Sequence, residues 1–169
     1  MKDTSRGAAR RTVLACIVTS VVMGLMASPA AAANYWGLRH DGVVPANQGA
    51  WSSDFVSAES AGNAPLVADR TSLGQWETFD FVIISGQWIA LKAKINGKYV
   101  TRQANGVLQA TSTTLGQAQY FYVDVSNLTG GHFRLIHGVT GSYVRLDAQH
   151  VLWADATHFS AAGTFLQTH

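Results

Sequence analysis

Two clusters of aromatic and acidic residues in this sequence could do chemistry. In "RLDAQHVLWAD", Asp147, His150, Trp153 and Asp155 fall close together; in "RHDGVVPANQGAWSSD", His40, Asp41, Trp51 and Asp54 bracket a stretch bearing Val43, Val44 and Pro45. An indole beside carboxylates and imidazoles offers a flat apolar face next to hydrogen-bond donors and acceptors. Such a set suits a ligand that presents an apolar face and a polar rim.

The same residues are poor material for catalysis. The six histidines are His40, His132, His137, His150, His158 and His169; none forms a pair at ligand spacing with a cysteine or glutamate, and no H-E-x-x-H is present. Asp147 and His150, three apart, are weak as metal ligands. No Gly-x-Ser-x-Gly elbow supports a nucleophilic serine. Paired carboxylates of the glycosidase kind are defined by distance in space, but the only glutamates are Glu59 and Glu77. The expectation is a non-enzyme with no metal and no cofactor.

The elements that position these residues begin after residue 33. Residues 1–33 carry Lys2, Arg6, Arg10 and Arg11, then an apolar run over 12–26, then Ser28-Pro29 and a string of alanines. These are the parts of a secretory signal peptide, and the run is too short for a membrane span. Arg10-Arg11 ahead of Thr12-Val13-Leu14 keeps twin-arginine export open beside Sec export. Cleavage would remove the sole cysteine, Cys16, and four of the 12 basic residues, leaving eight bases against nine acids. A near-neutral 34–169 has no basic patch for nucleic acid. Its length supports one domain with a core of its own, expected as a monomer.

That core is written three times. A shift near 44 brings "DFVSAESAGNAPLVADRTSLGQWETF", "KYVTRQANGVLQATSTTLGQAQYF" and "SYVRLDAQHVLWADATHFSAAGTF" into register. Val56, Val100 and Val144 coincide, as do Leu66, Leu108 and Leu152 at the head of Leu-x-Ala triplets. Leu73, Leu115 and Phe159 follow, then Phe79, Phe121 and Phe165; upstream stand Trp36-Gly37-Leu38, Ile89-Ala90-Leu91 and Phe133-Arg134-Leu135. Apolar residues alternate with polar ones, the period of half-buried strands, and glycine and asparagine punctuate the runs. Each unit of about 42–44 residues (roughly 34–84, 85–126 and 127–169) offers four strands and an incomplete apolar face. Three units are too few for a propeller. They predict an all-β protein, a β-trefoil with three pseudo-symmetric repeats.

The motifs "NGKYV" and its copy "TGSYV", the Leu-x-Ala triplets, and "LGQWETF" echoed by "LGQAQYF" resemble the fascin-like (actin-crosslinking-like) β-trefoils across 34–169. A ricin-type Gln-x-Trp signature is absent, and the third copy departs, with Phe159-Ser160-Ala161-Ala162-Gly163 at the Leu-Gly-Gln position. In animals, tandem trefoils of this family bundle actin, whereas here a single trefoil follows an export signal. Similar bacterial modules stand on or beside secreted carbohydrate-active enzymes. The resemblance therefore implies a secreted, non-catalytic module that binds a glycan or polysaccharide; the alternative is a protein-binding trefoil, such as a protease inhibitor or a cell-surface interaction protein.

Repeat alignment sorts the aromatic residues. Trp36 aligns with Ile89 and Phe133 and is expected in the core. Trp76 aligns with Ala118 and Ala162 and is expected to plug the first repeat. Tyr99 and Tyr143, beside core valines, are expected to turn their rings inward. Trp153 sits mid-triplet, where the sister copies have Val67 and Gln109, and alternation points it outward. It is read as a sugar platform with Asp147 and His150, against the alternative that it lies on a neighbouring loop. The first repeat carries nine more residues between its leucine and valine than the other two. Trp51 and Asp54 on that insertion form a second binding candidate, against the alternative that Val43, Val44 and Trp51 cover the barrel end.

Overall fold

Alternation of buried and exposed side chains sets the strands in the computed structural model, which describes residues 35–40 and 54–168. Residues 1–34, the stretch 41–53 with Trp51, and His169 lie outside the described residues. The strands are β1 (Tyr35–His40), β2 (Asp54–Ala58), β3 (Leu66–Arg70), β4 (Thr78–Ser85), β5 (Trp88–Ala93) and β6 (Tyr99–Arg102). They continue as β7 (Leu108–Ser112), β8 (Phe121–Asp124), β9 (Arg134–His137), β10 (Tyr143–Leu146), β11 (Leu152–Ala156) and β12 (Phe165–Thr168).

Antiparallel pairing runs β12–β1–β4–β5–β8–β9. The circuit closes where the Phe133 and Phe165 backbones exchange N–H···O bonds of 2.9 and 2.8 Å. This six-stranded barrel has no free edge. The hairpins β2–β3, β6–β7 and β10–β11 cap one end. The fold is a β-trefoil.

Among the described residues the twelve largest fully buried side chains are three copies of one set: Leu38, Val56, Leu66 and Phe79; Leu91, Val100, Leu108 and Phe121; Leu135, Val144, Leu152 and Phe165. These are the repeat positions that alternation assigns to the interior. Each hairpin has a register shift just before its valine, at Phe55/Val56, Tyr99/Val100 and Tyr143/Val144. The extra residue lies on the second strand (Asp69, Thr111 and Asp155), so the first strand keeps its alternation and the ring before each buried valine faces away from the core. Tyr99 and Tyr143 are consequently half-buried, not interior as the alignment suggested.

Trp36 also stops short of the core, half-buried at the barrel mouth in a hollow of about 450 Å³ with Phe81 and Phe133. The register set Leu73, Leu115 and Phe159 lies at the surface, 38, 38 and 62% exposed. Trp76, at 38%, caps the first repeat only in part.

The shared "LGQ" motif has a local mechanism. Glu77 Oε2 accepts the Gly74 N–H and Gln119 Oε1 accepts the Gly116 N–H, both at 2.9 Å, so the fifth residue of each copy ties down the second. The third copy has Gly163 in that place and lacks the side chain, although its turn, like the second copy's, contains a short 3-10 segment, Phe159–Ala161.

The hairpins meet along three seams, each finished by a different side chain. The equivalent carbonyls of Ala68, Ala110 and Ala154 accept from His150 Nδ1 (3.1 Å), Asn96 Nδ2 (2.9 Å) and Arg102 Nε (2.8 Å). Asn96 Nδ2 also reaches the Ala61 carbonyl at 2.8 Å.

His137 is 3% exposed and edge-on to Phe121 at 5.7 Å; its Nδ1 is 3.0 Å from Thr140 Oγ1 and its Nε2 3.2 Å from the Ala118 carbonyl. Burial pushes its pKa below the ordinary 6.5; the Ala118 carbonyl pulls the other way, and the Arg102 charge adds to the lowering. Below pH 6.5 the unfolded chain then binds a proton that the native ring refuses, so the stability contributed by the neutral ring is lost as pH falls from 6.5. Chemical denaturation at pH values about one unit above and below that point should show this decline, and His137→Gln should flatten it. An unchanged slope in the variant would assign the decline to other groups.

Candidate functional site

The β10–β11 hairpin brings together three of the sequence-derived site residues. At its turn, Asp147 Oδ1 accepts the N–H groups of Gln149 and Val151, each at 2.9 Å, while Oδ2 accepts the Trp153 indole N–H at 2.7 Å. His150 adopts φ 64°, and its ring is spent on the Ala68 carbonyl across the seam. The structure thus gives Asp147 and His150 positioning roles: one fixes the indole, the other locks the hairpin to its neighbour.

Trp153 is half-buried between the buried Leu152 and Ala154, so its outward direction follows the alternation. Arg145 stands directly opposite across the hairpin, with its guanidinium 5.8 Å from the indole centroid. Asp155 holds that guanidinium with two bonds of 2.7 and 2.8 Å. The seam residue Gly106 lies beside the ring, where a Cβ would meet Trp153 Cε3 at an ordinary contact distance of 3.7 Å; its φ of 101° is what favours glycine there. The indole is therefore a held surface with a cation over one face. Sequence reading missed Arg145; its place opposite Trp153 in the hairpin was the available signal.

Asp54 belongs elsewhere. It opens β2, pairs with His40 of β1 and is 6% exposed. Trp51 lies outside the described residues.

A second aromatic site was not singled out by the sequence. Trp88, the first residue of β5, is 37% exposed and meets Tyr122 of β8 edge-to-face, with centroids 5.2 Å apart. The Tyr122 hydroxyl donates to Gln87 Oε1. Beside the indole is an open cleft of about 370 Å³ lined by Ser85, Gln117, Tyr120 and Gly138. Gly138 shapes it, since a Cβ there would lie 3.1 Å from the Trp88 ring and 3.1 Å from the Tyr120 carbonyl. The useful signal was contrast within the repeats: Trp88 precedes a core isoleucine and must face the opposite way.

The glutamates are committed to structure. Glu77 caps its turn as described. Burial alone would raise the Glu59 pKa, but hydrogen bonds from Ser57 (2.7 Å) and Arg70 (2.6 Å) outweigh it and hold the carboxyl below 4.5. Among the described residues no group of three or more His, Cys, Asp or Glu side chains converges as metal donors, and no helix is long and apolar enough to cross a membrane.

No protein-family model and no curated protein matches the chain. Solved structures match its fold. The designed threefold-symmetric protein ThreeFoil superposes with a TM-score of 0.64 at 15% identity, over 80% of this chain and 98% of that one. SeviL bound to the asialo-GM1 saccharide gives 0.60 at 10% identity, over 79% and 94%. An exo-β-1,3-galactanase from Clostridium thermocellum gives 0.62 at 11% identity; 79% of this chain is covered, but it spans only 30% of the galactanase. At these identities the likeness is one of fold.

Proposed function

We infer that this β-trefoil is an exported, non-catalytic module that binds carbohydrate. The observation that carries the reading is the presence of aromatic rings fixed at the surface beside amides and charged groups, at Trp153 and at Trp88. The glycan partner of SeviL and the galactanase that includes a trefoil-like portion support it by analogy, as does the resemblance to bacterial fascin-like trefoils. The commitment of both glutamates to turns and ion pairs supports a binding role over hydrolysis. Export by the Sec or twin-arginine route and a monomeric state belong to the same proposal.

Pull-down on insoluble polysaccharides tests this reading. Wild type is expected in the bound fraction; absence from every polysaccharide would overturn it. At the hairpin, Trp153→Ala removes a half-buried ring and one hydrogen bond, so it should cost only about 1–2 kcal/mol of stability. A loss as large as that of a core residue would place the indole inside.

A further inference from the structure

Four residues on neighbouring strands stand directly opposite one another: Trp88 of β5 pairs with Tyr122 of β8, Tyr122 with Ile136 of β9, and Ile136 with Tyr143 of β10. Cross-strand partners share one face of a sheet. That face is the outer one, because the sequence neighbours Ile89, Phe121, Leu135 and Val144 are buried in the core. At the usual strand separation the row spans roughly 15 Å. It crosses from the second repeat into the third.

The row connects two clefts. The first lies beside Trp88. The second, of about 250 Å³, is lined by Tyr122, Ile136 and Tyr143 together with Asp124, Asn127 and Phe159. Its floor is fixed: Arg134 reaches Asp124 Oδ2 at 3.5 Å and the Ser126 carbonyl at 3.1 Å, with its guanidinium 5.5 Å from the Phe159 ring. Trp88 lines the first cleft and Tyr122 the second, and the edge-to-face contact between the two rings, with Tyr122 bonded to Gln87, joins them.

We propose that this aromatic row, from Trp88 through Tyr122 and Ile136 to Tyr143, is the binding track for an extended, uncharged polysaccharide. The proposal rests on the carbohydrate-binding reading and names its site and ligand class. Ring faces take the C–H faces of successive sugar units, while Ser85, Gln117 and Asn127 along the clefts supply donors and acceptors for hydroxyls. Arg134 and Asp124 cancel each other's charge, which disfavours a strongly anionic or cationic chain. The length of the row selects a chain over a single sugar, which would cover one ring and leave the others wet.

Affinity gel electrophoresis with xylan, galactan, laminarin and hydroxyethylcellulose tests the track, followed by calorimetry with an oligosaccharide series of whichever polymer retards the protein. Affinity should rise with chain length and then level off. Trp88→Ala and Tyr143→Ala should each weaken binding by about tenfold or more. Gln117→Ala removes an exposed amide outside the core and should weaken binding by about threefold with the fold intact. Unchanged affinity in all three variants, with loss in Trp153→Ala, would overturn the track while leaving carbohydrate binding in place. Retardation of wild type by none of the polymers would overturn both. Tightest binding to a monosaccharide would overturn the extended ligand.

Discussion

Phe121→Ala should lower the free energy of unfolding by about 3–5 kcal/mol, read from denaturant titration. The ring is fully buried and belongs to the triplicated set of twelve. It lies in β8, between β5 and β9 in the barrel wall, and His137 packs edge-on against it. Three phenylalanines share the centre with leucines and valines from every repeat, so neighbours held by their own strands cannot collapse into the void. Domains of this size are typically stable by about 5–15 kcal/mol, and a chain with one cysteine has no internal disulfide to offset the loss. Leu91→Ala and Leu135→Ala should each cost about 2–5 kcal/mol for the same reason. A loss below about 1.5 kcal/mol for Phe121→Ala would mean that the repeat register misplaces the core.

Gly62→Ala should be nearly as damaging, through two separate causes. Gly62 holds φ 81°, where a side chain is strained by about 1–2 kcal/mol. A Cβ there would also lie 2.0 Å from Asn96 Nδ2 and 2.8 Å from the Ala110 carbonyl oxygen. Asn96 would have to withdraw from the Ala61 and Ala110 carbonyls, at about 1–3 kcal/mol for the unmet groups. The sum is about 2–5 kcal/mol. Asn96→Ala alone gives up those bonds, and in that background Gly62→Ala keeps the backbone strain and the close approach to the Ala110 carbonyl but no longer displaces an amide. The double variant should therefore lose clearly less than the two single losses combined. Strict additivity would show that Gly62 and Asn96 do not share one joint.

What the sequence makes legible follows from how each feature is encoded. The twelve core residues recur at near-constant spacing and alternate along strands, so self-alignment finds them. Tyr99 and Tyr143 face outward because the neighbouring Val100 and Val144 take the core side of an alternating strand; the choice between ring and valine is one that recurrence of both residues does not make. Leu73, Leu115 and Phe159 recur as faithfully as the core yet sit at the surface: repetition reports equivalence, not burial. The Trp153–Asp147 pair was found because both residues lie in one hairpin. Arg102 on the Ala154 carbonyl and His150 on the Ala68 carbonyl join distant residues, and no local pattern announces them. The Trp88–Tyr122–Ile136–Tyr143 row is hidden for the same reason, since its members meet only once four strands are in register.

The pairing of β1 with β12, and of Phe133 with Phe165, bears on how the molecule is made. Contacts between the earliest and latest strands delay folding, because a long loop must close before they form. A chain still lacking its last strand leaves the flanks of β1 and β9 unpaired, open to pairing with another such chain. Speed of completion, more than final stability, would then decide between the closed barrel and an aggregate.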